Sequence, residues 1–293
     1  MTDCYCGSTS STLVRTRIRG GKERKIVRCD RCGVIRKGDL DTRQHRELHE
    51  NNKQVEEINL ETLSEEYRER NLVDIDRRIE AIKPYLSGDE NVLDIGTGMG
   101  HFLDQIEPYV NEVVGTEIND TRISFIRDQL GYPVYEGTDE VLDNFEEGHF
   151  DIVTMFHALE HLINPVEQLQ SLHSVLDDDG RLFVEVPNHD DYLLNFSDSY
   201  SDFYYQDAHS YYFDLESLDL VLILSGYKTD IMGVQRYSVR NALHWLLEGE
   251  PEIDEPSRYQ DTWKDPVDKL YGTVLTRMNR SDTLWATCQS DKN

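Results

Sequence analysis

The sequence predicts an α/β chain in which an open, mostly parallel sheet covered by helices follows a small cysteine-bearing head. Three observations predict it. Four of the five cysteines fall in two pairs before residue 33. A short apolar strand, a glycine loop, a helix and a second strand follow one another over residues 91–117. From there to residue 234, short apolar runs alternate with helical patterns, which is the pattern of βα units.

The head comes first. Cys4 and Cys6, then Cys29 and Cys32, are each followed by glycine, which suits the tight knuckle in which backbone N–H groups face thiolate sulfur. In a chain read as cytoplasmic, such pairs indicate a metal before a disulfide. Cys29 and Cys32 have the usual two-residue spacing, whereas Cys4 and Cys6 are separated by one. Thr12–Ile18 and Lys25–Arg28 read as β segments, giving a zinc ribbon over residues 1–40 with a closed, structural Zn²⁺ on four thiolates. So small a head needs a staple to fold. Cys288 reads as a buried strand residue. Residues 41–62 form a polar linker or exposed helix, on which His45 and His49 are surface histidines. Leu63–Leu86 has Leu72, Ile75, Ile79, Ile82 and Leu86 at helical spacing and packs against the body C-terminal to it.

Val92–Ile95 is a buried strand, and Gly100–Ile106 opens a helix. The glycines between them let the backbone turn sharply and approach a ligand. Glu112–Gly115 is the next strand, and Glu117 follows 21 residues after Gly96, where an acid accepts hydrogen bonds from ribose hydroxyls. The third glycine comes one residue earlier than in a dinucleotide fingerprint, and Asp94 precedes the loop. Pro133–Glu136, Phe150–Met155 and Gly180–Val186 are further strands, with a helix between the last two.

This ordered set resembles the class I S-adenosylmethionine-dependent methyltransferases over residues 65–235. The resemblance implies a Rossmann-like seven-stranded sheet spanning residues 63–239. Asp94, Gly96, Gly98 and Gly100 would hold the methionine part of the cofactor, Glu117 the ribose, and Thr138 with Asp139 the adenine. Residues 190–213 carry nine tyrosines and phenylalanines, with Asp207 and His209 among them, and read as an aromatic lid. Tyr205–Phe213, with Leu218–Gly226 and Gly233–Arg236 after it, resembles the sugar C-methyltransferases and their glycan-modifying relatives, which also begin with a cysteine zinc module. There His209 matches one histidine of a histidine-rich stretch, while Asp207 and Ala208 depart from it. Ser281–Thr287 resembles that group's final strand, placed here at 282–288, with a helical insertion over 240–280 before the closing segment 281–293.

Methyl transfer from a sulfonium needs alignment and removal of the acceptor proton. The resemblance puts Glu160 and His161 beyond the fourth strand, facing the methyl, and His209 opposite. Tyr204, Tyr205, Asp207 and Tyr212 would meet the substrate, and His157 lines the pocket. The expected substrate is a sugar, nucleotide-linked or in a glycan precursor. The second reading is RNA held by the head, which has ten Lys/Arg against four acids. Residues 41–293 have 20 basic and 53 acidic side chains and would repel a long polyanion. The whole chain carries −27, a charge that suits high salt and a halophile. No apolar run has the ~20 residues of a membrane helix, and no signal peptide opens the chain, so the expected place is the cytoplasm.

Overall fold

The computed structural model describes residues 4–40, 60–252 and 266–291. The linker reading for residues 41–59, with His45 and His49, and the middle of the expected insertion at 253–265 lie outside the described residues. The head holds β1 (Ser11–Arg17), β2 (Glu23–Cys29) and β3 (Ile35–Lys37). Helix α1 (Leu60–Ile82) leads into β4 (Asn91–Ile95), α2 (His101–Ile106) and β5 (Glu112–Glu117). Then come α3 (Asp120–Phe125), β6 (Val134–Glu136), α4 (Gly137–Asn144) and β7 (Phe150–Phe156). Next are α5 (Pro165–Ser171), β8 (Leu176–Pro187), α6 (Asp198–Tyr204), the two-residue β9 (Tyr211–Tyr212) and α7 (Leu215–Leu224). The chain closes with β10 (Tyr227–Val234), α8 (Val239–Leu247), α9 (Pro266–Arg277) and β11 (Thr283–Ser290). No described helix is long and apolar enough to cross a membrane.

Seven strands form one sheet in the order β10-β11-β8-β7-β4-β5-β6. The pairings from β8 to β6 are parallel, and β11 runs antiparallel to both its neighbours. Because strand side chains alternate, each strand feeds two cores. Val92 and Ile152 face the layer of α1, α2 and α3, which includes Ile75, Ile79, Ile82, Leu103 and Ile123. Leu93 and Val153 face the opposite layer, with Val141, Leu169, Leu218 and Val221 from α4, α5 and α7. Ile82 and Leu103 are fully buried, each contributing about 1.5–3 kcal/mol by transfer from water. Gly115 in β5 permits close packing, since a Cβ there would lie 2.9 Å from both Leu103 Cδ1 and Thr97 Cγ2. The chain order reverses at β4, whose neighbours β5 and β7 leave a crevice at their carboxyl ends.

The head is joined to this body through a second sheet, ordered β1-β2-β3-β9, whose last strand comes from the aromatic segment. Ile35 pairs with Tyr212 and Arg36 with Tyr211. The stretch read as a lid is therefore a packed wall: Tyr200, Tyr204, Tyr205, Tyr211, Tyr212 and Phe213 are buried, while Phe196 and Phe203 are exposed. A chain of aromatic side chains this dense buries more area by joining two layers than by closing over a small ligand.

Candidate active site

The glycine loop after β4 turns with Gly96, Gly98 and Gly100 at φ of 75°, 62° and 79°. The N–H groups of Gly96 and Thr97 donate to Thr116 O at the end of β5 (3.0 and 2.8 Å), which fixes the loop over the crevice. A Cβ on Gly96 would stand 2.9 Å from that of Ala158, so only glycine fits. Asp94 is buried at the end of β4, where the Thr154 hydroxyl donates to it at 2.6 Å. Burial pushes its carboxyl up to about 6, against that hydrogen bond. With Tyr67, Asn71 and Arg78 from α1, and with Gly98, Met99 and Phe156, these residues line one pocket. Glu117 ends β5; its carboxylate accepts from the N–H groups of Ile118 and Asn119 (2.9 and 3.1 Å). Thr138 is buried and Asp139 exposed in the first turn of α4, beyond β6. A cradle emptied of side chains by glycine, with an acid at each strand end, fits S-adenosylmethionine.

His157 lines this pocket and also a second, adjoining one of about 330 Å³. The second cleft has Glu160, His161 and His209 on one side and Tyr204, Phe203, Gln206 and Arg19 on another. Pro187, Arg236, Tyr237, Asp282 and Thr283 complete it. Glu160 and His161 come from the turn after β7, and His209 from the segment before β9. The two segments are locked together: Ser210 N donates to Glu160 O (2.8 Å), and the Ser210 hydroxyl to His161 O (3.2 Å). The rings of His161 and His209 meet edge to face at 4.9 Å. Burial holds His209 neutral, down to about 3, despite the Glu160 charge. For Glu160 burial opposes ionisation, but His157, His161 and His209 outweigh it and bring the carboxyl to about 2.

Beneath both pockets lies a buried charge network that the sequence reading did not identify. Glu185 of β8, with no exposed surface, accepts from Arg77 and Arg78 of α1 at 2.6 Å each. Asp74 pairs with Arg77 at 3.1 Å and with Arg236, beyond β10, at 2.5 Å. Burial favours a neutral Glu185, but the two guanidinium groups hold it well below the usual carboxylate range. His157, in a left-handed conformation at φ 53°, has Nε2 3.2 Å from Glu185 and Nδ1 3.4 Å from Glu160. The signal was present: Glu185 interrupts an apolar strand, and Arg78 shares the helix face of Ile75 and Ile82.

In the head, Cys4 Sγ lies 3.5 Å from Cys32 Sγ, and Cys6 Sγ 3.6 Å from Cys29 Sγ. All four sulfur atoms lie within 4.8 Å of one another. A tetrahedral zinc with Zn–S bonds of ~2.3 Å places its sulfur atoms about 3.8 Å apart, so the cluster has the dimensions of such a site.

Comparison with known proteins bears on the body. A family described as a methyltransferase domain matches residues 65–230, more than half of the chain. The chain belongs to this methyltransferase family. It is an enzyme of the class I S-adenosylmethionine-dependent kind. Among solved structures, a SAM-dependent methyltransferase from Archaeoglobus fulgidus is 22% identical, with a TM-score of 0.53 over 75% of this chain and 94% of that one. A SAM-dependent methyltransferase from Thermotoga maritima, titled a possible histamine N-methyltransferase, is 16% identical, with a TM-score of 0.50 over 77% and 94%. At these identities the likeness is one of fold. None of the curated proteins compared matches the chain.

The methyltransferase structure brings Asp94, Gly96 and Gly98 into one pocket, and Glu160, His161, His209 and Tyr204 into the cleft beside it. Three residues expected at the substrate face elsewhere. Asp207 meets the head, with Arg24 at 2.9 Å, Lys22 at 3.4 Å and Lys37 at 3.9 Å. Tyr205 meets His189 through its hydroxyl (2.7 Å) and carries the Arg15 guanidinium over its ring. Tyr212 donates to Gln206 O and accepts from Gln206 N, behind His209. In their place the methyltransferase cleft takes Phe203, Arg19, Gln206 and Arg236, which the sequence reading did not name as substrate residues.

Proposed function

We propose that the enzyme moves a methyl group from S-adenosylmethionine to a sugar, nucleotide-linked or within a glycan precursor. The observation that carries this is the cleft of about 330 Å³ beside the cofactor crevice, walled by aromatic faces and a dense set of polar groups. That volume suits a small molecule, and aromatic faces with polar neighbours suit a sugar ring. When bound, the cofactor supplies an electrophilic methyl group. The chain's own residues do the rest: the glycine loop and Asp94 orient the cofactor, Tyr204 and Phe203 shape the substrate wall, and the Glu160–His161–His209 cluster takes up the acceptor proton.

The head supports the small-molecule reading over RNA. Much of its positive charge is engaged by the body: Lys22, Arg24 and Lys37 with Asp207, Arg15 with Asp202, and Arg19 with the Phe203 carbonyl and ring. The head is in this reading a zinc ribbon, with Cys4, Cys6, Cys29 and Cys32 as ligands, that docks on the acidic body and frames the cleft. Mass spectrometry of glycans and tRNA from a strain lacking the gene tests the assignment. A methyl missing from a sugar is expected; a methyl missing from tRNA would transfer the reading to RNA. Replacing His161 by Ala should lower kcat by about 10²–10⁴ with cofactor affinity nearly unchanged, because the cofactor loop is untouched.

A further inference from the structure

Glu160 has almost no exposed surface, yet neither carboxylate oxygen has a hydrogen-bond partner among the described residues. Leaving a charged group without such partners in the interior is costly. Two imidazoles stand near it, with His157 Nδ1 at 3.4 Å and His161 Nε2 at 4.0 Å. The orientation of His161 is set from behind. Its Nδ1 donates to Ala208 O at 3.0 Å, which makes Nε2, the atom nearer Glu160, the lone-pair nitrogen. His209 is buried against the same carboxylate, and the Gln206 side-chain amide stands 2.7 Å from its Nε2. One donor atom from each of Glu160, His161 and His209 lies within 4.8 Å of the others, and all three residues line the cleft.

We propose that Glu160, His161 and His209 bind one divalent first-row cation at the cleft, with its remaining coordination positions open to the acceptor. Two imidazoles and one carboxylate suit manganese, cobalt or zinc, and a cation at about 2.1 Å from each donor draws the three to about 3–3.4 Å apart. The backbone carbonyl on His161 Nδ1 is the outer partner such a ligand uses, and His209 ligates through Nδ1 once the Gln206 amide turns its oxygen to the Nε2–H. The site gives the buried carboxylate a direct partner, where the imidazoles alone offer only the long 3.4 and 4.0 Å contacts. It also deepens the sugar reading above, on which its catalytic role rests. With the cation bound, the cluster acts through the metal instead of taking up the proton itself: an acceptor hydroxyl bound at the cation loses its proton to solvent water more readily. Its oxygen lone pair then forms the new O–C bond as the S–CH₃ bond breaks, and the departing electron pair stays on sulfur, which becomes a neutral thioether.

The test uses the full chain with its head loaded with zinc, titrated with Mn²⁺ and followed by electron paramagnetic resonance. One Mn²⁺ per chain is expected, with imidazole nitrogen couplings in its pulsed spectrum. Glu160→Gln and His209→Ala should each weaken it by about a hundredfold or more, while S-adenosylhomocysteine affinity, which reports folding, is retained. Failure of Mn²⁺, Co²⁺ and Zn²⁺ to bind beyond the head, or equal binding by both variants, would overturn the proposal. The nitrogen couplings need no variant, and their absence from bound Mn²⁺ would also overturn it. Metal bound at this site in an enzyme that methylates no sugar would remove the sugar reading alone. Sugar methylation at full rate by His209→Ala would remove the metal's role alone.

Discussion

Asp94, which we propose orients the cofactor, would trade stability for binding. Burial raises its carboxyl to about 6, well above the ordinary 3.8, while the Thr154 hydroxyl opposes the shift. A raised carboxyl favours the folded state while protonated, so its contribution is present below about 3.8 and is lost as pH rises through about 6. The charged form that destabilises the empty enzyme is the form that a cationic ligand needs. Cofactor affinity measured by calorimetry should therefore fall as pH drops from 7 to 5. Asp94→Asn should flatten that dependence, weaken binding, and raise the melting temperature of the cofactor-free protein at pH 8. Gly96 makes the complementary prediction. Its φ of 75° costs a side chain about 1–2 kcal/mol, and Ala158 blocks the space besides, so Gly96→Val should lose at least about tenfold in cofactor affinity. Unchanged affinity in that variant would remove the loop from the site.

At the level of elements, the informative unit is the sheet shared by the head and the body. β3 is hydrogen-bonded to β9, and His209 lies two residues before β9, so the cysteine cluster and the cleft are mechanically joined. Chelation, or Cys29→Ser with Cys32→Ser, should remove zinc detected by metal analysis. It should also lower methyl transfer strongly while S-adenosylhomocysteine still binds, because the β4 loop belongs to the other sheet. A head that melted without touching turnover would show the ribbon to be an appendage. Asp207 anchors the same junction through Arg24, with Lys22 and Lys37 nearby, and Lys37 Nζ donates to its carbonyl at 2.6 Å. Asp207→Ala should cost about 1–3 kcal/mol of stability, read by thermal unfolding, since it leaves the buried Lys37 without its charged partner.

For the molecule as a whole, the net charge of −27 dominates. Acid is spread over the body, and part of the cationic charge is drawn into the head junction and into the network of Arg77, Arg78 and Arg236. Self-repulsion across such a surface is relieved by screening, whereas the buried pairs are shielded from salt. The melting temperature should thus rise by several degrees between 0.1 and 2 M KCl, as a salt-adapted surface requires. A melting temperature that fell over that range would mean the exposed ion pairs outweigh the repulsion.

The sequence alone determined the strand and helix succession of the body, because periodic burial and the glycine loop are local signals. Val92–Ile95, Phe150–Met155 and Tyr227–Val234 fall on strands, and the loop at 96–100 falls on the crevice. The four cysteines came together because spacing and neighbouring glycines are also local. Only the tertiary structure decided what the aromatic stretch does. Whether a tyrosine stacks on a ligand or fills a seam depends on what packs against it, and β3, far upstream of β9 in the chain, supplies that surface. It likewise decided that Asp207 meets the head rather than the cleft, and that Arg77, Arg78, Glu185 and Arg236 close one network. Charges far apart in the chain leave no periodic trace of their pairing. The buried carboxylate of Glu160 belongs to the same class, because whether such a group finds a hydrogen-bond partner among the described residues depends on what the fold packs around it.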